Sequence, residues 1–329
     1  MATAADARNL FMLVRKGLDV RSIHAHVRKP FRFLLCGDPA LVTELRTLLL
    51  SGHEEVIPLE AAACLETVAA TAPLVTNPTE VRAVIFLGRR GDAAGADLSA
   101  LAALRAPILT VTVDGEAPPS GPSAAPAAGA SAEYVVPAIS REALRGRLFP
   151  HLVECAPGAE IAVGRHLPVL RETVAAKLTR DAANNALKVA LASAVVDHIP
   201  VVGLVLGAFA SAGDIVAITG IQVMLMLHIE AAYGRDPDVH RTWQLLPIIG
   251  GGFGWRTLAR ELSGFVPVAG IAIKGAIAYA GTIVVGEGVT FFMEQGHHMS
   301  KGDAASLYER TKDDALRFTR DLLRRLRNK

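Results

Sequence analysis

The stretch from Ile199 to Gly234 constrains the fold of this chain most, because it is apolar on every side of a helix. Its only formal charges are Asp214 and Glu230. A helix without a polar face is buried in a large core, in a partner or in lipid. The stretch therefore predicts a buried helical element and excludes a solvated surface helix.

This apolar stretch is echoed once later in the chain. The motif IPVVG at 199–203 recurs as VPVAG at 266–270, and apolar residues rich in Ala and Gly follow each copy. Each copy has a proline that suits the first turn of a helix, and small residues after it let helix backbones approach closely. The repeat predicts two helical hairpins packed about a pseudo-symmetric axis. Chance similarity between two segments rich in Ala and Gly is the alternative.

The residues before this region alternate short apolar runs with helical patterns. The apolar runs predict four strands, at 31–37, 81–88, 107–114 and 133–140. Helices are predicted after Pro39, around 98–104 and from Ser140, whose hydroxyl suits a helix N-cap. Strands separated by helices indicate a parallel sheet covered on both faces. The Pro-, Gly-, Ala- and Ser-rich tract at 115–132 predicts a flexible surface loop.

The predicted fold class is therefore an α/β domain with a parallel sheet, followed by an all-α domain of helical hairpins. A long helical pattern covers 160–198, with a break near Pro168, and connects the two domains. The predicted divisions are an N-terminal amphipathic helix (1–30), the α/β domain (31–158), the helical domain (159–298) and a basic C-terminal helix (299–329).

Both ends of the chain are basic amphipathic helices in this interpretation. The first would dock on the α/β domain or bind anionic lipid. The last, which starts near Asp303, has arginines that favour its C-terminal dipole or that bind anionic lipid or an acidic partner. No aromatic residues interleave those arginines, and the net charge of the chain is only +2. The pattern therefore does not predict nucleic-acid binding.

The residues after the first strand bear on nucleotide binding. A P-loop has the pattern G-x-x-x-x-G-K-[ST], in which backbone amides hold phosphates while the Lys and the hydroxyl bind phosphate and Mg²⁺. Gly37 stands at the first glycine, but Val42, Thr43 and Glu44 replace the Gly, Lys and Ser/Thr. Later, VTVD aligns with a guanine-reading N-K-x-D motif, of which only Asp114 is present. With these departures, the α/β half resembles an Era-like GTPase domain.

That resemblance implies a degenerate, P-loop-like fold without GTP hydrolysis. Loss of both the Lys and the hydroxyl removes the electrostatics on which phosphoryl transfer depends. No cofactor and no catalytic residue are expected, and Gly37, Thr43, Glu44 and Asp114 are the degenerate nucleotide-site positions. Unconventional nucleotide binding that uses Gly37 and Asp114 is the alternative.

The helical half carries more specific marks. They are Asp214, Gln222 and the pair Tyr233-Gly234, followed by Arg256-x-x-Ala259-x-x-Leu262, Pro267 with Gly270, and Thr282 with Gly286. In these residues, roughly 160–296 resembles domain-of-unknown-function family 697, the YcjF-like domain of inner-membrane proteins that is often fused behind Era-like GTPases. The resemblance implies a helical architecture at a membrane, with no established biochemical activity.

Charged residues within the apolar repeat make it costly for either copy to span a bilayer. A spanning helix needs about 20 apolar residues, and Asp214 in the first copy and Lys274 and Glu287 in the second interrupt such runs. Each charge at the centre of a spanning helix costs about 2.5–3.5 kcal/mol. A helical bundle with paired interior charges and hairpins dipping into one leaflet both fit. The buried polar candidates are Asp214, Gln222, Lys274 and Glu287.

No catalytic or metal-binding pattern stands out. Adjacent His297 and His298 point in different directions on a helix and have no evident third ligand, so no metal site is predicted. The glycines at 250–252 lack a following Lys-Ser and read as a hinge. Cys36, Cys64 and Cys155 lack CxxC spacing and are expected to be reduced core thiols.

The sequence thus favours a non-catalytic pseudo-GTPase scaffold or regulatory protein at the cytoplasmic face of the membrane. Its expected partners are the membrane, by surface contact or by inserted hairpins, and a second copy or another protein. The two alternatives are an unconventional nucleotide-binding switch and an ion- or solute-conducting protein built on the paired hairpins, with a purely cytoplasmic location as the alternative to membrane association.

Overall fold

A computed structural model gives the architecture of the chain. It describes residues 20–53, 56–71, 75, 77–91, 98–116, 118, 120–121, 130–196, 203–238 and 269–327. Two compact units are present: an α/β unit of His24–Val174 with Ala231–Arg235, and a helical unit of the residues up to Ile23, Ala175–Glu230 and Asp236–Lys329. The prediction of an α/β half followed by a helical half is confirmed.

The α/β unit is built on a five-stranded parallel sheet. Its strands are β1 (Arg32–Gly37), β2 (Leu65–Thr67), β3 (Val81–Arg89), β4 (Ile108–Val113) and β5 (Ala132–Val136). Their order across the sheet is β2-β1-β3-β4-β5, and all neighbouring strands are parallel. This is a doubly wound order, and it is compatible with a P-loop-like fold.

The central strands are buried on both faces of the sheet. Leu34 and Leu35 follow one another in β1, as Val84 and Ile85 do in β3, and all four side chains are fully buried. Because consecutive side chains of a strand point to opposite faces, both faces must be covered. This is why the strands of the sequence are continuous apolar runs rather than alternating ones.

The structure has one strand more than the four predicted. The additional strand, β2, lies at the edge of the sheet, where Leu65 pairs with Phe33 of β1. It is only three residues long and includes Glu66, whose carboxylate lies 3.3 Å from the guanidinium of Arg32. The segment lacks an apolar run, so the pattern that predicted the other strands gave no signal here.

The predicted helices of the α/β half are confirmed. Among the described residues up to 166, the helices are α1 (Val20–Val27), α2 (Pro39–Leu49), α3 (Leu59–Ala63), α4 (Ser99–Ala102), α5 (Arg141–Arg145), α6 (Leu148–Glu154) and α7 (Glu160–His166). Ser140 caps α5 as predicted, since its Oγ accepts a hydrogen bond of 3.2 Å from the amide of Ala143. The earlier part of the predicted N-terminal helix, and residues 122–129 of the predicted loop, lie outside the described residues.

The long helical pattern predicted at 160–198 is broken as expected. A 3₁₀ turn at Pro168–Leu170 separates α7 from α8 (Arg171–Val196). The first turn of α8 groups with the α/β unit, which ends at Val174, whereas the sequence placed the domain boundary at 158–159.

A short segment after the long apolar helix completes the α/β unit. A Cβ at Gly164 in α7 would lie 3.0 Å from the Cβ of Ala232. Arg171 donates a hydrogen bond of 3.2 Å to the carbonyl of Gly164, and its guanidinium lies 5.8 Å from the ring centre of Tyr233. The Tyr233-Gly234 pair therefore packs in the α/β unit.

The described part of the helical unit consists of long helices. They are the remainder of α8, then α9 (Gly203–Ala232), α10 (Ala269–Gln295) and α11 (Lys301–Arg327). The two repeat motifs begin α9 and α10, because Gly203 ends IPVVG and Ala269 is the fourth residue of VPVAG. The described residues of each copy form one continuous helix. Residues 239–268, where the first predicted hairpin would be completed, lie outside the described residues. The hairpin that the described residues form is α10 with α11, and Ser300 caps α11 by accepting from the amide of Asp303 (3.1 Å).

Small residues and one buried hydrogen bond join α8, α9 and α10. Ala186 and Ala190 of α8 meet Ile218 of α9 and Ala278 of α10 in one apolar cluster. Beside it, the buried Gln222 donates from Nε2 to the hydroxyl of Thr282 at 3.3 Å, and that hydroxyl donates to the carbonyl of Ala278 at 2.8 Å. A polar contact within an apolar core fixes the relative register of two helices, because any slip would leave both groups unpaired.

Two glycines of α10 allow α8 to approach closely. A Cβ at Gly275 would lie 2.7 Å from Cδ1 of Leu187. A Cβ at Gly286 would overlap the side chain of Thr179, which is 2% exposed. Close-packed cores respond to the addition of even one methylene, so these positions require glycine for packing rather than for backbone conformation.

We predict that Gly286→Ala destabilises the helical unit by about 1–3 kcal/mol, because the methyl group overpacks a filled contact. The matched control is Gly220→Ala in α9, where an added Cβ meets nothing within 4 Å. Removing a helix-interior glycine there should stabilise by roughly 0.5–1 kcal/mol. Thermal unfolding followed by circular dichroism compares the two variants. Equal and small shifts of the two midpoints would contradict the proposed contact between α8 and α10.

Candidate functional site

The carboxyl edge of the sheet is the place where a doubly wound fold binds ligands. In such folds the ligand crevice lies outside the carboxyl ends of the strands, where the strand order reverses. Here that point is between β1 and β3, whose last paired residues are Gly37 and Leu87. The residues that follow these two strands therefore decide what the edge can bind.

The connection from β1 to α2 is a tight turn at Gly37. Its φ is +110°, a left-handed conformation, and a Cβ there would overlap the carbonyl oxygen of Leu87 in β3. The next amide, that of Asp38, donates to the same carbonyl at 2.8 Å. Only glycine allows this approach, and the turn brings the start of α2 directly against the end of β3.

Asp38 occupies the N-terminus of α2. Its Oδ1 accepts hydrogen bonds from the amides of Ala40 at 2.8 Å and Leu41 at 3.1 Å. Its other oxygen lies 3.4 Å from Nε of Arg89 at the end of β3. The bonds from Leu41 and Ala40, with the charge of Arg89, lower the pKa of the Asp38 carboxyl. The helix N-terminus, which binds phosphate in nucleotide sites, is thus satisfied by a carboxylate of the chain itself.

The positions compared with a P-loop lie inside a helix. Because α2 begins at Pro39, no loop follows Gly37 that would surround a phosphate. Val42 is buried, and Thr43 donates its hydroxyl proton to the carbonyl of Pro39 at 2.8 Å. Glu44 is exposed on the same helix. The Thr43 hydroxyl is therefore bonded within the helix, and the Glu44 carboxylate is an anion, so neither can bind phosphate or Mg²⁺ as the Lys and Ser/Thr of a P-loop do.

Asp114, the remaining position of the guanine-reading pattern, follows β4 at the same edge. Its Oδ2 lies 3.0 Å from Nη1 of Arg90, and its Oδ1 accepts from the amide of Glu116 at 3.3 Å. The side chain of Asp114 is 12% exposed, whereas that of Arg90 is 77% exposed. The carboxylate is therefore engaged by a local turn and by a surface arginine.

Two ion pairs together cross the carboxyl edge of the sheet. Asp38 pairs with Arg89, the last residue of β3, and Asp114 pairs with Arg90, the residue that follows β3. Sequence reasoning selected Asp114 and Gly37 but not the other three residues. The signals were an Asp directly before the Pro that opens α2, which is typical of an N-cap, and two arginines directly after a buried strand.

The buried titratable groups elsewhere in the α/β unit are neutral and structural. The hydroxyl of Tyr134 and Nδ1 of His151 are hydrogen bonded at 2.5 Å, and both side chains are buried. Burial raises the pKa of Tyr134 to about 12 and lowers the pKa of His151. At neutral pH the pair therefore carries no charge, which suits a core hydrogen bond.

The cysteines and histidines offer no metal or nucleophile site in the described part of the chain. All three cysteines are buried and free of disulfides, as predicted, and burial raises the pKa of Cys36 and of Cys64 to about 12. The rings of His297 and His298 pack on Phe291 and Phe292. Among the described residues, no group of three or more His, Cys, Asp and Glu side chains could hold a metal ion.

Of the four buried polar candidates predicted in the helical unit, the structure describes the side chains of Gln222 and Glu287. Gln222 lies in the interior and bonds to Thr282, as described above. Glu287 is half-buried on α10. The side chains of Asp214 and Lys274 lie outside the described residues, although α9 and α10 pass through both positions. Glu230, which the sequence did not select, is only 1% exposed near the end of α9.

Comparison of the chain with protein-family models, with curated proteins and with solved structures finds no match in any of the three.

We predict that Asp38→Ala lowers the stability of the α/β unit by about 1 kcal/mol at neutral pH, as expected for loss of an N-cap. Asp38→Asn should cost much less, because asparagine caps a helix nearly as well and the exposed pair with Arg89 contributes little. Urea unfolding measures both, with Glu116→Ala at an exposed turn as the control. A similar loss for Asn and Ala would show that the charge, rather than the cap, stabilises this edge.

Proposed function

We propose that the protein is a non-catalytic scaffold or regulatory protein of the pseudo-GTPase type, associated with the cytoplasmic face of a membrane. In this proposal the α/β unit is a degenerate Era-like domain, and the helical unit is a YcjF-like membrane-associated domain. The resemblance of the sequence suggests both assignments. The geometry of the carboxyl edge and the surface of the helical unit support them.

The observation that carries the proposal is the position of Asp38. A phosphate-binding turn needs free backbone amides at the helix N-terminus and a cation to reach the phosphates. Here the carboxylate of Asp38 accepts hydrogen bonds from two of those amides, and its negative charge would repel a phosphate at the N-terminus of α2. Arg89, the nearest cation, is paired with that carboxylate. A domain closed in this way supports a role in binding and assembly rather than in hydrolysis.

The apolar helices support membrane association. In the described residues one helix, Gly275–Gln295 within α10, is long and apolar enough to cross a membrane, and Val216–Ala232 of α9 is a shorter apolar segment. Half of this apolar stretch of α10 is buried inside the protein, and the other half is left to contact lipid in this proposal.

The outward faces of the helices differ in polarity. On α8 the exposed residues include Arg180, Asp181 and Lys188. On α10 the half-buried residues include Ile283 and Val284, with Glu287 one turn further along the same face. Apolar residues on the outer face, with polar contacts such as Gln222–Thr282 in the interior, are the arrangement expected where lipid meets a helix. The polar face of α8 would then remain at the water side.

The alternative functions receive less support. A nucleotide switch would need Asp114 and the turn at Gly37, and both are engaged by other residues of the chain. A conductor would need a polar path, and the hydroxyl of Thr282, which accepts from Gln222, donates to the carbonyl of Ala278 within an apolar cluster.

Membrane fractionation of the full-length protein tests the proposal. Washes with high salt, alkaline carbonate and then detergent separate the modes of attachment. We expect retention through the salt and carbonate washes and release by detergent, because apolar side chains of α10 contact lipid. Release by salt would place the attachment at the basic ends instead, and recovery in the soluble fraction without any wash would contradict membrane association.

A pair of lysine substitutions identifies the face involved. Val284→Lys adds a charge to the half-buried outer face of α10, where a lysine in lipid costs about 2.5–3.5 kcal/mol, and should move the protein to the carbonate-soluble fraction. Asn185→Lys, on the exposed face of α8, is the control and should leave the distribution unchanged. Far-ultraviolet circular dichroism checks that both variants are folded.

A further inference from the structure

A groove of about 610 Å³ lies at the carboxyl ends of β1 and β2. One wall is a face of α2, and the other contains the residues that follow β2, including Val68 and Ala69. Ligand sites in proteins typically have volumes of about 300–1,000 Å³ and lie outside the carboxyl ends of parallel strands. The size of this groove is therefore that of a small-molecule site, and the groove lies at the carboxyl edge of the sheet, beside the switch point between β1 and β3.

The floor and the α2 wall of the groove are apolar. Val42 of α2, Leu50 directly after α2, and Val68 line it and are buried. Thr43 and Thr47 also line it, but each donates its hydroxyl proton to a carbonyl one turn earlier in α2, at 2.8 Å in both cases. Their hydroxyls therefore have no proton left for a ligand, and they offer it methyl groups and acceptor oxygens.

Arg46 is the only charged side chain among the described residues that line the groove. It is half-buried, and its Nη2 donates to the carbonyl of Ala62 at 3.2 Å. Among the described residues, no carboxylate lies within ion-pair distance of it. A guanidinium has five N–H donors in a fixed fork, so one backbone carbonyl leaves most of them unused. A cation on an apolar wall is complementary to an anion with an apolar body.

The mouth of the groove is also apolar. Ile57 lines it and is 47% exposed, and its neighbours Val56 and Leu59 are 80% and 85% exposed. These are the exposed large hydrophobic residues of the described chain. Their exposure next to the groove indicates that a bound molecule would extend its apolar part toward this mouth.

We propose that this groove binds a small amphipathic carboxylate, with an apolar chain along α2 and its carboxylate on the guanidinium of Arg46. A carboxylate has two acceptor oxygens that match the arginine fork. Phosphates, with more charge, would need further donors, and the threonine hydroxyls do not supply them. This site is separate from the proposed scaffold role and does not depend on it.

The test uses the full-length protein and decanoate as the probe, below its micelle concentration. Equilibrium dialysis with labelled decanoate gives the Kd, and methyl decanoate serves as the uncharged isostere. We expect saturable binding at one site, and Arg46→Gln should raise the Kd by roughly ten-fold or more, the loss expected for a charge-assisted hydrogen bond. Methyl decanoate should bind both proteins equally weakly.

The matched control is Arg147→Gln, because Arg147 is also half-buried and also donates to one backbone carbonyl, that of Gly121 at 3.1 Å, outside the groove. Decanoate that partitions into other apolar surfaces would give the same background in both variants. If Arg46→Gln is unfolded by circular dichroism, Ile57→Asp at the exposed mouth replaces it and should weaken binding similarly. Absence of saturable decanoate binding, or an equal Kd for Arg46→Gln and Arg147→Gln, would overturn the proposal.

Discussion

The close approach of two strand ends at Gly37 is the constraint on which the α/β unit depends. Because the turn presses against the carbonyl of Leu87, α2 starts two residues after β1. Asp38 is then placed to cap that helix, and Arg89 is placed to face Asp38. One glycine thus fixes the shape and the charge of the sheet edge, and it removes the space in which a phosphate loop would fold.

Close packing at a glycine is also the main constraint on the helical unit. Gly286 of α10 admits the side chain of Thr179, and Gln222 finds its partner only because α9 and α10 lie in one register. Small residues permit short distances between helices, and the buried hydrogen bond selects one arrangement among those that the small residues allow. The polar groups of Gln222 and Thr282 are thereby satisfied within the apolar interior.

Much of this architecture is readable from the sequence, because continuous apolar runs, Pro39 and Ser140 are local signals of strands and helix starts. The edge strand at Leu65–Thr67 was missed because it has no apolar run and depends on pairing with β1. The role of Asp38 and its partner was missed for a similar reason. Their contact joins residues distant in sequence, and a motif comparison directs attention to the absent Lys and Ser/Thr instead.

Calorimetric titration of the full-length protein with GTP and Mg²⁺ tests whether the chain itself closes the carboxyl edge of the sheet to a nucleotide. We expect no saturable heat, because the amides at the start of α2 are already bonded to Asp38. Saturable binding that is lost in Asp114→Ala would contradict this expectation, because that result would require the Arg90–Asp114 pair to open and a nucleotide to take its place.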